Sequence, residues 1–308
     1  MKRNRTILIT IILALLVVIL SFIAFYFFGD RLEELVARWR GLQKPETEQM
    51  TEVSAETEAV LRETEAETEM TAQTETEDPA LTREHAVYTF CQGPVAWSTR
   101  APYSGEWCDY ELDGGLFSVF GCGLCAMANI YSTFTPYECS PLDMYWFARK
   151  VSDYSPGGGA GAIDWPFMEV SLEKAGFGVS LREKDKDYRA FQNTVAHCPA
   201  CIALISSTDD DTYWQDTPGH YVTIWLYNYE TDEVFLGDSG NPDHNRSWIP
   251  LRYIYDALAH DSSYQYLTID YYDDNLNGWQ YSGIVEDWTA PYYYKPKPLH
   301  ESLLKQAS

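Results

Sequence analysis

Three stretches of the chain differ in how apolar and polar positions are arranged. Ile7 to Phe28 is an almost unbroken apolar run with no polar face. As a helix it would be roughly 33 Å long, enough to cross the hydrocarbon core of a bilayer. From about Pro45 to Pro79 large apolar residues nearly vanish from a Glu/Thr tract, which cannot bury enough surface to fold and is extended by its own carboxylates. From about Glu84 periodicity returns, together with Trp, Tyr, Gly and Cys.

Within that last stretch the pattern predicts elements. Leu124, Ala126, Met127, Ala128, Ile130 and Tyr131 cover both faces of a helix that opens at Gly121-Cys122-Gly123, as a largely buried helix requires. Ser140-Pro141 reads as N-cap and first helical position before Leu142 to Ala148. A glycine-rich loop follows, then a helix from Trp165 to Lys174 that Gly176 ends, and a helical stretch from Tyr188 to Ala196. The period then changes to strands: Cys201 to Ile205, Tyr221 to Leu226, Val234 to Leu236 across the turn "NYETDE", and Tyr264 to Tyr271. Helices first and a mainly antiparallel sheet afterwards imply an α+β domain.

Charge changes the picture only locally. The net charge of −24 argues against binding nucleic acid or anionic lipid through a general field, and much of it sits in the Glu/Thr tract. The apolar run is too long for a signal-peptide core and ends in "FYFFGD" without a small-residue cleavage site. Lys2, Arg3 and Arg5 favour a cytoplasmic N-terminus, although Arg31, Arg38 and Arg40 weaken the asymmetry. The expected organisation is a cytoplasmic N-terminus (1–6), a transmembrane helix (7–28), a juxtamembrane segment and stalk (29–83), an extracellular domain (84–272) and a C-terminal tail (273–308) to which no function is assigned.

Seven cysteines in an extracellular setting suggest disulfides, and the odd count leaves at least one thiol over. Cys122-x-x-Cys125 with Cys198-x-x-Cys201 has the form of a zinc site, but their separation far exceeds that of a zinc ribbon. "HCPAC" has the form of a redox motif, yet it precedes a strand where an activated thiol opens a helix. A structural disulfide or a pair of buried thiols remains for it. The third reading makes Cys122 a nucleophile, because a thiol at a helix N-terminus meets backbone N–H groups and the positive end of the helix dipole. A base and an orienting acid stand downstream: His220 begins one predicted strand and Asp238 ends the next. If those strands pair across their turn, the two residues share one end of the sheet.

These residues resemble the papain-like cysteine peptidases related to the double-glycine leader peptidases of bacteriocin export. The resemblance covers about residues 86 to 270 and rests on the order of four short motifs. Gln92 in "CQGPVAW" matches the family's oxyanion-hole glutamine, Cys122 in "GCGLCAMANI" its nucleophile, His220 in "PGHYVTIW" its base and Asp238 in "LGDSGN" its acid. Leu124 and Ser239 stand where the family usually has proline. The resemblance implies a papain-like fold and cleavage of peptide or amide bonds through a thioester, with no cofactor and no metal. It also implies a bacterial origin.

Other readings stay open at this point. An NlpC-type cell-wall amidase or endopeptidase also uses Cys and Gly-His, although no Asp-Cys-Ser-Gly start is present. Trp97, Trp107, Trp146, Trp165 and the tail "APYYYKPKP" would suit a non-enzymatic binding or adhesion surface. "TVAHC" and "GDSG" resemble trypsin-like motifs, but His197 and Ser239 are too close in sequence for that fold's two barrels. They are expected to be a solvent-facing helix end and a turn residue. Gln92, His220 and Asp238 each have a bland alternative, as turn cap, packed strand residue and turn former, and Cys122 that of a disulfide partner. The expected partners are a peptide or protein substrate, including cell-wall peptide, and the membrane.

Overall fold

A computed structural model of the chain describes residues 79–156, 161–208 and 213–294. The apolar run Ile7 to Phe28 and the Glu/Thr tract lie outside the described residues. Among the described residues, no helix is long and apolar enough to cross a membrane. The elements in chain order are α1 (Pro79–Ala86), α2 (Pro94–Ser98), the strand pair β1 (Glu111–Leu112) and β2 (Gly115–Leu116), α3 (Phe117–Phe120), α4 (Cys122–Phe134), α5 (Pro141–Ser152) and α6 (Trp165–Lys174). They continue with β3 (Phe177–Arg182), α7 (Tyr188–Ala196), β4 (Ala200–Ser207), β5 (Thr217–Asn228), β6 (Glu233–Gly237), β7 (Ser247–Pro250), α8 (Leu251–Ala257) and β8 (Tyr266–Tyr272).

The domain is α+β, built on a six-stranded sheet of order β3-β8-β4-β5-β6-β7 in which every neighbouring pair is antiparallel. Both faces are covered. Along β4, Ala200 and Ile202 join the core of Leu124, Ala128, Phe147 and Met168, whereas Cys201, Ala203 and Ile205 join Phe191, Val195, Leu251 and Ile254. Burial on two faces explains why "CIALIS" reads as a continuous apolar run rather than an alternation.

Helix α4 is buried at every residue from Cys122 to Phe134, as its all-round apolar pattern predicts. Its one strongly polar side chain, Asn129, is satisfied by accepting from Phe90 N at 2.7 Å and donating to Thr223 Oγ1 at 3.3 Å. That residue therefore ties both the N-terminal segment and β5 to the helix. Helix α5 starts in the predicted place: Ser140 Oγ accepts from Asp143 N at 3.0 Å while Asp143 Oδ2 accepts from Ser140 N at 2.8 Å, a reciprocal cap.

Three expectations need correction. The order is not helices followed by sheet, because β3 forms one edge and α7 and α8 are interleaved with the strands to cover the second face. Cys91, Cys108, Cys122, Cys125, Cys198 and Cys201 are thiols rather than disulfide partners. Residues 273–294 pack on the domain: Asp273 N donates to Gly176 O at 2.9 Å, Trp279 stacks on Phe147 at 4.1 Å, and Thr289 exchanges two 2.8 Å backbone hydrogen bonds with Tyr103 and Ser104. Tyr294 and Tyr88 share Glu138 Oε2, at 2.8 and 2.9 Å.

Candidate active site

Cys122 is the first residue of α4, with Gly121 as its N-cap. A side chain at Gly121 would collide with the ring and carbonyl oxygen of Phe117, and one at Gly123 with Ile163, Tyr221 and Met168. The flanking glycines thus let the helix start turn tightly onto α3 and lie directly against β5.

The strands bring the other two groups. In the antiparallel pairing of β5 with β6, Thr223 faces Gly237 and Trp225 faces Phe235. Continuing that register past the paired residues sets His220 across from residue 240. Gly240 does sit there: a Cβ on it would be 3.0 Å from His220 Cε1 and 3.2 Å from Nε2. His220 Nε2 donates to Asp238 Oδ1 at 2.8 Å, and the imidazole and the Cys122 sulfur are close enough to act on each other's charge. With Nε2 engaged, the nitrogen toward sulfur is Nδ1.

The electrostatics follow from these contacts. Burial alone would raise the Cys122 pKa, yet the bond to His220, the imidazolium charge and the backbone N–H groups of Tyr221 and Gly123 hold it below the ordinary thiol value. Burial alone would likewise lower the His220 pKa, but Asp238 and Cys122 push it up to about 10. The shifts are complementary and favour a thiolate–imidazolium pair. Asp238 is buried and held below the usual carboxylate range against its own desolvation, by His220, His244 and Trp214.

Gln92 reaches the site by two tethers. Its Nε2 donates to Ser118 O, in α3 just before the nucleophile, at 2.8 Å, and its Oε1 accepts from Ser239 Oγ at 2.7 Å. Its backbone N–H also donates to Ser239 O at 2.8 Å. An amide nitrogen carries two hydrogens, so one remains beyond the bond to Ser118. Ser239 is accordingly more than a turn residue: it is 3 % exposed and fixes which way the Gln92 amide faces.

Four further contributors carry no periodic or motif signal in the sequence. Trp214 Nε1 donates to Asp238 Oδ2 at 3.0 Å, and His244 Nδ1 lies 3.6 Å from the same oxygen. Asn245 Oδ1 accepts from Asp238 N at 3.1 Å and its Nδ2 donates to Thr89 O at 2.8 Å. Ser118 supplies the carbonyl that anchors Gln92. "GDSG" is legible as a turn, and its Gly240 and Asn241 N–H groups do close on Asp238 Oδ1 at 3.0 and 3.1 Å.

A cavity of about 570 Å³ borders the site, lined by Tyr213, Trp214, Gly219, His220, Asp238 and His244 among others. Cys122 and Gln92 do not line it; they are 4 % and 8 % exposed. His197 is exposed at the end of α7, where its Nδ1 contacts Asn193 O at 2.7 Å. Cys125 is buried one turn into α4 with Ser239 as a hydrogen-bond partner, and burial pushes its pKa up. Cys122 and Cys125 belong to one core and Cys198 and Cys201 to the other, so the four sulfurs do not converge. Of the tryptophans weighed as a binding platform, Trp107 and Trp165 are in the core, Trp97 is half-buried and Trp146 is 53 % exposed. Compared with known proteins, the chain matches no family model, and no curated protein matches it.

Proposed function

We propose that this protein is a membrane-anchored cysteine peptidase-like hydrolase with a papain-like fold. In this reading the run Ile7 to Phe28 is the anchor, the N-terminus is cytoplasmic and the domain stands outside the cell on its Glu/Thr stalk. The observation that carries it is the placing of Cys122, at a helix N-terminus, beside a His220 that is hydrogen-bonded to Asp238.

The Cys122 thiolate attacks the acyl carbon, and the His220 imidazolium gives its Nδ1 proton to the leaving amine. Water, deprotonated by the now neutral imidazole, then hydrolyses the thioester and releases the acid. The remaining Gln92 amide hydrogen and the backbone N–H of Cys122 serve the oxyanion. Asp238 holds the ring and its charge throughout.

The test is alkylation and turnover by the full chain in detergent or vesicles. Iodoacetamide should label Cys122 first among the seven cysteines, and Cys122→Ala should abolish hydrolysis of a casein or peptide-library substrate. Turnover of purified cell wall but not of peptides would assign the chemistry to stem peptides. Unchanged activity in Cys122→Ala would overturn the hydrolase reading and favour a binding module.

A further inference from the structure

A second sulfur pair lies on the opposite face of the sheet from Cys122. Cys198 follows the C-terminal end of α7 and Cys201 stands near the start of β4, with their Sγ atoms 3.0 Å apart. That is about 1 Å longer than a disulfide bond of roughly 2.05 Å. Cys201 is fully buried against Phe191 and Ile224, whereas Cys198 is half-buried and retains access to solvent.

The surroundings do not favour charge on Cys201. Cys198 donates to Val195 O at 3.5 Å, at the carbonyl end of α7, where the helix dipole is negative. Burial and the neighbouring Cys198 raise the Cys201 pKa well above its ordinary value. A dithiol whose reduced form is stabilised as thiolate makes an oxidising couple, and one without that stabilisation makes a disulfide that persists once formed. The shape therefore suits a structural link rather than an exchange catalyst.

We propose that Cys198 and Cys201 are a modification site that closes to a disulfide when a low-molecular-weight dialkyl disulfide is the oxidant. The Cys198 thiolate attacks one sulfur of the oxidant, forms a mixed disulfide and releases one thiolate. Cys201 then loses its proton and attacks the Cys198 sulfur, which expels the second thiolate. Two electrons pass from the pair to the oxidant, two protons are taken up by the released thiolates, and the end of α7 is bonded to β4. This closure is independent of the chemistry at Cys122.

The experiment uses the full chain, as wild type and as Cys122→Ala, treated with oxidised glutathione, quenched and labelled with N-ethylmaleimide after unfolding. Tryptic residues 190–246 contain just these two cysteines. That peptide should lose both labels and weigh two hydrogens less in each protein, and dithiothreitol should restore both labels. Cys201→Ala should retain glutathione on Cys198, and Cys198→Ala should leave Cys201 unmodified until unfolding. A peptide that keeps two labels, or a wild-type Cys198 that keeps its glutathione, would overturn the proposal.

Discussion

His220 gives its Nε2 hydrogen to Asp238 at 2.8 Å and turns its other nitrogen to Cys122. The acid, the base and the sulfur thus share one proton path in which each group sets the charge of the next. Cys122 is shifted down and His220 up to about 10, directions that favour sulfur as the anion and the ring as the cation. Alkylation of Cys122 should therefore proceed at pH values well below the ordinary cysteine limb of roughly 8.5. Turnover should fall as the pH passes about 10, where His220 loses the proton the leaving amine needs. Asp238→Asn removes the strongest support for the imidazolium, so the high-pH limb should move down, the alkylation limb up, and kcat should fall roughly 10²- to 10⁴-fold. Rates of iodoacetamide labelling and of peptide hydrolysis between pH 4 and 11 read all three.

Gln92 is predicted to act in the transition state rather than in ground-state binding. Gln92→Ala should lower kcat by about 10²-fold or more with little change in KM. Ser239→Ala leaves the amide in place but removes the hydroxyl that orients it, and should cost roughly tenfold, equivalent to about 1.4 kcal/mol. Steady-state kinetics on one peptide substrate distinguish the two, and equal losses in KM would contradict the assignment.

Trp214 is the indole lid on the acid. Trp214→Phe keeps most of the ring volume but leaves Asp238 Oδ2, in a residue 1 % exposed, without its 3.0 Å donor. Hydrogen bonds to charged groups contribute about 1.5–3 kcal/mol, with His244 at 3.6 Å offsetting part of the loss. Denaturant unfolding should show a loss toward the lower end of that range.

Gly240 is required by space. An alanine methyl would press on His220 Cε1 and Nε2 at 3.0 and 3.2 Å, so the ring must shift by a few tenths of an ångström. Misplacement of about 1 Å costs roughly 10²-fold, so Gly240→Ala should reduce kcat/KM by about tenfold while the midpoint of thermal unfolding moves little. An unchanged rate would mean that the ring has slack.

Much of the site is legible in the chain because it is carried by strong local signals. The buried α4 follows from its all-round apolar pattern, and the meeting of His220 with Asp238 follows from two strands joined by a short turn. What is not legible depends on long-range pairing or on isolated polar side chains. Strand β3 joins the sheet through β8, with Phe177 opposite Tyr272, and its residues are mostly half-buried, so no clean alternation marks it. Trp214, His244 and Asn245 lie in turns, where period carries no information, and Ser239 looks like a simple turn former until Gln92 is found against it. The interleaving of α7 and α8 is set by the second face of the sheet, which the order of the predicted elements along the chain does not reveal.

The contact of Tyr88 with Tyr294 has a topological consequence: two residues 206 apart in sequence meet at one spot on the domain. Moving the natural ends to an exposed turn elsewhere, with a short bridge between residues 88 and 294, should yield a rearranged protein that still folds.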